Sequence, residues 1–122
     1  MMARILLVED DLWSRRLVFD LLVLRGHDVL CAAGVSDGRA QLDTVKFDAV
    51  LLDINIPGGG GEMLLREIRE YNAVMPVIAF TASAMAGDRE RFLAEGFTGH
   101  ISKPIDVKSF GETVEAFLLP PT

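Results

Sequence analysis

The sequence predicts an α/β fold, a (βα)5 doubly wound sandwich with helices on both faces of a five-stranded parallel sheet. Three observations carry this. Short apolar runs alternate five times with segments of helical spacing. The links between them are short, which suits β-α units feeding a parallel sheet through right-handed crossovers. Most of the runs are rich in Val, Ile and Leu, as strands covered on both faces should be. A chain of 122 residues is one domain, here 1–122, long enough to bury about two-thirds of its unfolded surface without a staple.

The first strand is Ala3 to Val8. Trp13, Leu17, Val18, Leu21 and Leu22 then form one helical stripe, with Trp13 read as core filler beside the acidic residues, and Gly26 stops the helix. Asp28 to Ala32 is the second strand. Ser36 is a candidate N-cap for a helix reaching about Lys46, with Leu42 and Val45 inward. Ala49 to Leu52 is the third strand, and Leu64, Leu65 and Ile68 mark its helix. Pro76 to Phe80 is the fourth, followed by a helix carrying Phe92 and Leu93 that ends before Gly96. Gly99 to Ser102 is the fifth and the weakest strand by composition. The last helix places Val107, Phe110, Val114, Phe117 and Leu118 on one face, after Asp106 as a candidate N-cap. Pro120-Pro121-Thr122 cannot continue it.

Composition narrows the function. Lys plus Arg is 12 and Asp plus Glu is 18, a net charge of −6, which disfavours direct nucleic-acid binding and anionic membrane surfaces. A hydrophobic content of 50% excludes a disordered chain. The single cysteine, Cys31, allows no internal disulfide and no Cys-based zinc site, and His27 and His100 lack ligand spacing. No apolar run reaches the roughly 18 residues of a membrane span, so a cytoplasmic domain without membrane insertion is expected.

Parallel sheets bind ligands at the carboxyl ends of their strands. There the first strand carries Glu9-Asp10-Asp11, the third Asp53, the fourth Thr81 and the fifth Lys103. Carboxylates from neighbouring strands repel unless a cation sits among them, and hard oxygen ligands suit Mg²⁺. A carboxylate can attack phosphorus to give an aspartyl phosphate. On this reading Glu9 and Asp10 serve the metal, Asp53 is the nucleophile, and Lys103 and Thr81 contact the transferring group. Each residue also has a plainer role as a helix cap or a solvated charge; their shared position at one rim is what favours a site.

Four short motifs, in order, then resemble the receiver domain of two-component response regulators over essentially the whole chain. They are Ile5-Leu6-Leu7-Val8-Glu9-Asp10-Asp11, Leu51-Leu52-Asp53-Ile54-Asn55-Ile56-Pro57, Phe80-Thr81-Ala82 and Ser102-Lys103-Pro104. The run from Thr81 to Asp88 and that from Gly99 to Ile105 are most similar to receivers of hybrid kinases and of the single-domain DivK type. The resemblance implies a flavodoxin-like fold with strand order 2-1-3-4-5. It implies a phosphoprotein of a phosphorelay or signal-transduction switch, phosphorylated on Asp53 by a phosphohistidine of a histidine kinase or histidine phosphotransferase. Glu9, Asp10, Asp53 and the Asn55 carbonyl would hold Mg²⁺. Thr81, the Ala82 N–H and Lys103 would bind the phosphoryl oxygens, and the Lys103–Pro104 bond would be cis. Asn55 and Ser83 match positions that tune phosphate lifetime. Thr81 and His100 would form the switch, His100 standing where the family usually has Tyr or Phe, and the surface of the fourth helix, fifth strand and fifth helix would address a downstream protein target.

Gly58-Gly59-Gly60-Gly61 departs from the family pattern. Gly61 matches a family glycine, and without a following Gly-Lys-Ser/Thr the run reads as a mobile loop rather than a phosphate cradle. Three other functions compete. A phosphatase using Asp53 on an external substrate needs cap elements for which 122 residues leave little room. A flavin carrier needs a Ser, Thr and Gly-rich first loop, which Glu9-Asp10-Asp11 is not. A binding-only receiver would not need Asp53, Thr81 and Lys103 together. The expectation is therefore a receiver that catalyses its own Mg²⁺-dependent phosphorylation and dephosphorylation, not an enzyme with an external substrate.

Overall fold

The computed structural model describes residues 2–82 and 85–119. Its elements run β1 (Arg4–Val8), α1 (Leu12–Leu24), β2 (Asp28–Ala32), α2 (Val35–Thr44), β3 (Ala49–Asp53), α3 (Gly61–Tyr71), β4 (Val77–Thr81), α4 (Asp88–Glu95), β5 (Gly99–Ser102) and α5 (Phe110–Leu118). The five strands form one parallel sheet in the order β2-β1-β3-β4-β5, as expected.

Alternation along the strands divides the core in two. Leu6, Val8, Val50, Leu52, Val77 and Ala79 face a layer that includes Leu64, Leu65 and Ile68 of α3 and Phe92 of α4. Ile5, Leu7, Ala49, Leu51, Ile78 and Phe80 face Val18 and Leu22 of α1 and Phe110 and Val114 of α5. All five residues of β3 and of β4 are buried, because both strands lie inside the sheet under both layers. Their near-continuous apolar sequence is the direct consequence.

Helix ends follow local chemistry. The Asp11 carboxylate accepts the Ser14 N–H at 2.8 Å and caps α1, so of the three acidic residues after β1 this one has the plainer role. Gly26, at φ +93°, turns the chain after α1. Gly96, at φ +113°, does the same after α4. Gly58, Gly59 and Gly60 hold φ of +87°, +72° and +92°, a left-handed path that side chains with a Cβ resist.

Several expectations need correction. Trp13 is 78% exposed and Leu17 is also exposed, so the buried face of α1 is Val18 and Leu22, not the full stripe. Gly34, not Ser36, is the N-cap of α2, and that helix ends at Thr44, before Lys46. Leu93 is exposed, leaving Phe92 as the buried residue of α4. Ser109 takes the N-cap position of α5, and Val107 lies outside the helix, exposed to solvent. Asp106 instead shapes the turn before α5: its carboxylate accepts the Lys108 N–H at 3.1 Å, and its carbonyl the Phe110 N–H at 2.9 Å. Pro120, Pro121 and Thr122 lie outside the described residues.

Candidate functional site

The carboxyl ends of β1, β3, β4 and β5 converge because the sheet is parallel and these strands are neighbours. Glu9 follows β1 and is held to the sheet by its N–H, which donates to the Ala32 carbonyl at 3.0 Å. Asp53 ends β3, and Thr81 ends β4. Lys103 follows β5, and its N–H donates to the Thr81 carbonyl at 2.8 Å. The Lys103–Pro104 peptide is cis.

The side chains meet over that rim. Glu9 and Asp53 are only 1% and 3% exposed, and Thr81 is buried beside them. The Lys103 ammonium donates to both Glu9 carboxylate oxygens at 2.9 and 3.0 Å and to Asp53 Oδ2 at 3.2 Å. Asp53 Oδ1 accepts the Asn55 N–H at 2.8 Å. The Asn55 side-chain oxygen accepts the Ala82 N–H at 3.1 Å, bridging the β3–α3 and β4–α4 loops. Asp10 points outward from the same cluster and is exposed, and carboxylate oxygens of Glu9, Asp10 and Asp53 lie within 4.8 Å of one another.

Two buried carboxylates, Glu9 and Asp53, share one ammonium, and their proton affinities diverge. Burial, reinforced by hydrogen bonding with Asp53, pushes Glu9 up to about 7 against the pull of Lys103. Burial would raise Asp53 too. Its hydrogen bonds with Glu9 and the Asn55 N–H, together with Lys103, outweigh that and hold it below the ordinary carboxylate value. Burial works against the charged Lys103, but its bonds to Glu9 and Asp53 hold it above its usual value. At neutral pH the site therefore presents an ionised Asp53 beside a charged Lys103. The excess of carboxylate oxygen fits a hard divalent cation such as Mg²⁺ better than a soft metal.

His100, expected as a switch residue, stands half-buried with its ring 5.3 Å from that of Phe92 on α4. It faces the α4 layer through this ring contact. Ser83 lies outside the described residues. Sequence reasoning missed Arg15, whose guanidinium donates to the Glu9 carbonyl at 2.9 Å and the Asp10 carbonyl at 3.4 Å. Its one signal was position, a single turn past the Asp11 cap and so above the end of β1. The bridge from Asn55 to Ala82 was also unforeseen, since it joins residues 27 apart in the chain.

Comparison with known proteins identifies the family and matches the fold. The family model described as the response regulator receiver domain matches residues 5–115. A hybrid signal transduction histidine kinase I from Dictyostelium discoideum is 34% identical over 123 aligned positions, covering 91% of this chain but 7% of the kinase. The polar-differentiation response regulator DivK of Brucella anthropi is 33% identical, covering 93% of this chain and 94% of DivK. Among solved structures, a CheY-like receiver domain protein from Methanospirillum hungatei superposes with a TM-score of 0.85 at 27% identity, over 97% of this chain and 94% of that one.

Proposed function

The chain belongs to the response regulator receiver domain family of two-component systems, whose function is to accept a phosphoryl group, and we propose that Asp53 is its acceptor. The observation that carries this is the buried Asp53 carboxylate with the Lys103 ammonium 3.2 Å from Oδ2. We read residues 1–122 as one receiver unit.

In the transfer, a carboxylate oxygen of Asp53 attacks the phosphorus of a phosphohistidine. The new O–P bond forms as the P–N bond breaks, and its electron pair leaves with the imidazole nitrogen. Lys103 balances charge on the phosphoryl oxygens. Thr81 and the Ala82 N–H lie at the same rim and are read as their hydrogen-bond donors. Glu9, Asp10, Asp53 and the Asn55 carbonyl would hold Mg²⁺, which supplies further positive charge when bound. Hydrolysis by water at phosphorus returns the carboxylate and inorganic phosphate. Both steps occur on the chain itself, so it is an acceptor that promotes its own turnover.

The donor is read as a histidine kinase or histidine phosphotransferase, and the output as a downstream protein contacted by the α4-β5-α5 surface, where His100 packs on Phe92. Among the described residues no helix is long and apolar enough to cross a membrane.

The test is intact-protein mass after brief incubation with acetyl phosphate. Wild type should gain one phosphoryl group with Mg²⁺ and none without it, Asp53→Ala should gain none, and His100→Ala should label normally. Equal labelling of Asp53→Ala would refute the assignment.

A further inference from the structure

Asn55 engages both sides of the rim with two different atoms. Its backbone N–H donates to Asp53 Oδ1 at 2.8 Å, and its side-chain oxygen accepts the Ala82 N–H at 3.1 Å. A backbone amide has one proton and makes one well-aligned hydrogen bond at a time. The Ala82 amide, which the phosphoryl reading needs as a donor, is thus already engaged in the unmodified protein.

We propose that the Asn55 side chain is a built-in competitor of the phosphoryl group: it caps the Ala82 amide before phosphorylation and is displaced when Asp53 is modified. The proposal rests on Asp53 being the acceptor. Chemistry favours a carboxamide in this role. It supplies a neutral oxygen of the same hydrogen-bonding character as a phosphoryl oxygen, without adding charge beside Glu9, Asp10 and Asp53. Asn55 is exposed, so its released oxygen finds water at once and the exchange stays reversible. What is lost on displacement is one ordinary hydrogen bond, so its removal should favour the occupied state by roughly two- to tenfold.

Asn55→Ala separates this role from the others, because it keeps the backbone N–H on Asp53 and the backbone carbonyl while deleting only the cap. The full chain, as wild type, Asn55→Ala and Asp53→Ala, would be titrated with beryllium fluoride, a non-transferable phosphoryl mimic, at saturating Mg²⁺. The Ala82 amide would be followed by ¹⁵N–¹H NMR. The expected result is that the Ala82 amide of free Asn55→Ala loses hydrogen-exchange protection and that this variant binds the mimic about two- to tenfold more tightly. Equal or weaker binding by Asn55→Ala, or an unchanged Ala82 amide, would overturn the proposal. Wild-type binding that persists in Asp53→Ala would instead overturn the acceptor reading beneath it, a failure distinct from the first two.

Discussion

The Lys103 ammonium grips both oxygens of the Glu9 carboxylate, at 2.9 and 3.0 Å, across 94 residues of sequence. This bond ties the end of β5 to the end of β1 over the top of β3 and β4. It also leaves Asp53 with the weaker share of the same cation, at 3.2 Å. Lys103 is therefore both the clasp of the strand ends and the charge that keeps two buried carboxylates tolerable.

Removing that charge should destabilise the fold. Lys103→Met strands Glu9 and Asp53 beside each other without a counter-ion. Because Lys103 retains some solvent contact, the loss should be about 1–3 kcal/mol, below the range for a fully buried pair. Urea denaturation in EDTA would measure it. Adding Mg²⁺ should recover more stability in the variant than in wild type, since the cation replaces the missing charge. An equal Mg²⁺ response in both proteins would contradict the shared role of these carboxylates.

A second ionic cluster lies at the opposite end of the sheet and sets an acid limit. Glu115 of α5 receives a two-pronged bond from Arg25 at 2.6 and 2.7 Å and another from His27 Nε2 at 2.8 Å. The Ala3 N–H occupies His27 Nδ1 at 3.0 Å, so the neutral ring carries its proton on Nε2 and donates it to Glu115. Arg25 first and His27 second hold Glu115 down at about 2. A depressed carboxyl contributes stability above its unfolded value near 4.5, and that contribution fades as pH falls toward 2. Glu115→Ala also strips the buried His27 N–H of its acceptor, an effect of about 1–3 kcal/mol. The stability gap between wild type and Glu115→Ala should be widest near pH 7 and narrow steadily below pH 4.5 on chemical denaturation at a series of pH values.

Gly99, at the start of β5, is buried directly under the Phe117 ring, and a Cβ there would overlap Phe117 Cε1 and Cζ. Its backbone is ordinary, so the constraint is space. Gly99→Ala should cost about 1–3 kcal/mol by overpacking. Pairing it with Phe117→Leu should recover part of that loss, because a smaller side chain vacates the space. A stable Gly99→Ala protein would mean that α5 shifts freely on β5.

Trp13, the single tryptophan, reports the surface rather than the core. At 78% exposure, its emission maximum in the native protein should lie close to that of the urea-unfolded chain, with acrylamide quenching both similarly. Trp13→Ala should change stability by less than about 0.5 kcal/mol. A blue-shifted native emission would restore the buried reading of this residue.

The elements of the fold were legible in the sequence because each rests on local rules. Five short runs, most of them rich in Val, Ile and Leu, a carboxylate placed to cap α1, and glycines after α1 and α4 define strands and helix ends without tertiary help. The errors fell where burial depends on what lies opposite. Trp13 and Leu17 satisfy helical periodicity, yet both are exposed and the burial of α1 falls to Val18 and Leu22. Val107 satisfies it too, but the Asp106 turn delays α5 until Phe110.

The sequence by itself determined which residues could do chemistry, since strand ends in a parallel sheet share one rim and Glu9, Asp10, Asp53, Thr81 and Lys103 occupy them. The tertiary structure alone decided how those residues pair. Proton affinity is set by burial and by partners that arrive from distant strands, so the ordering of Glu9 above Asp53 has no local signature. Hydrogen-bond partners such as Lys103 with Glu9, Arg15 with the β1 carbonyls, and Asn55 with Ala82 exist only once the strand ends and their loops have been brought together.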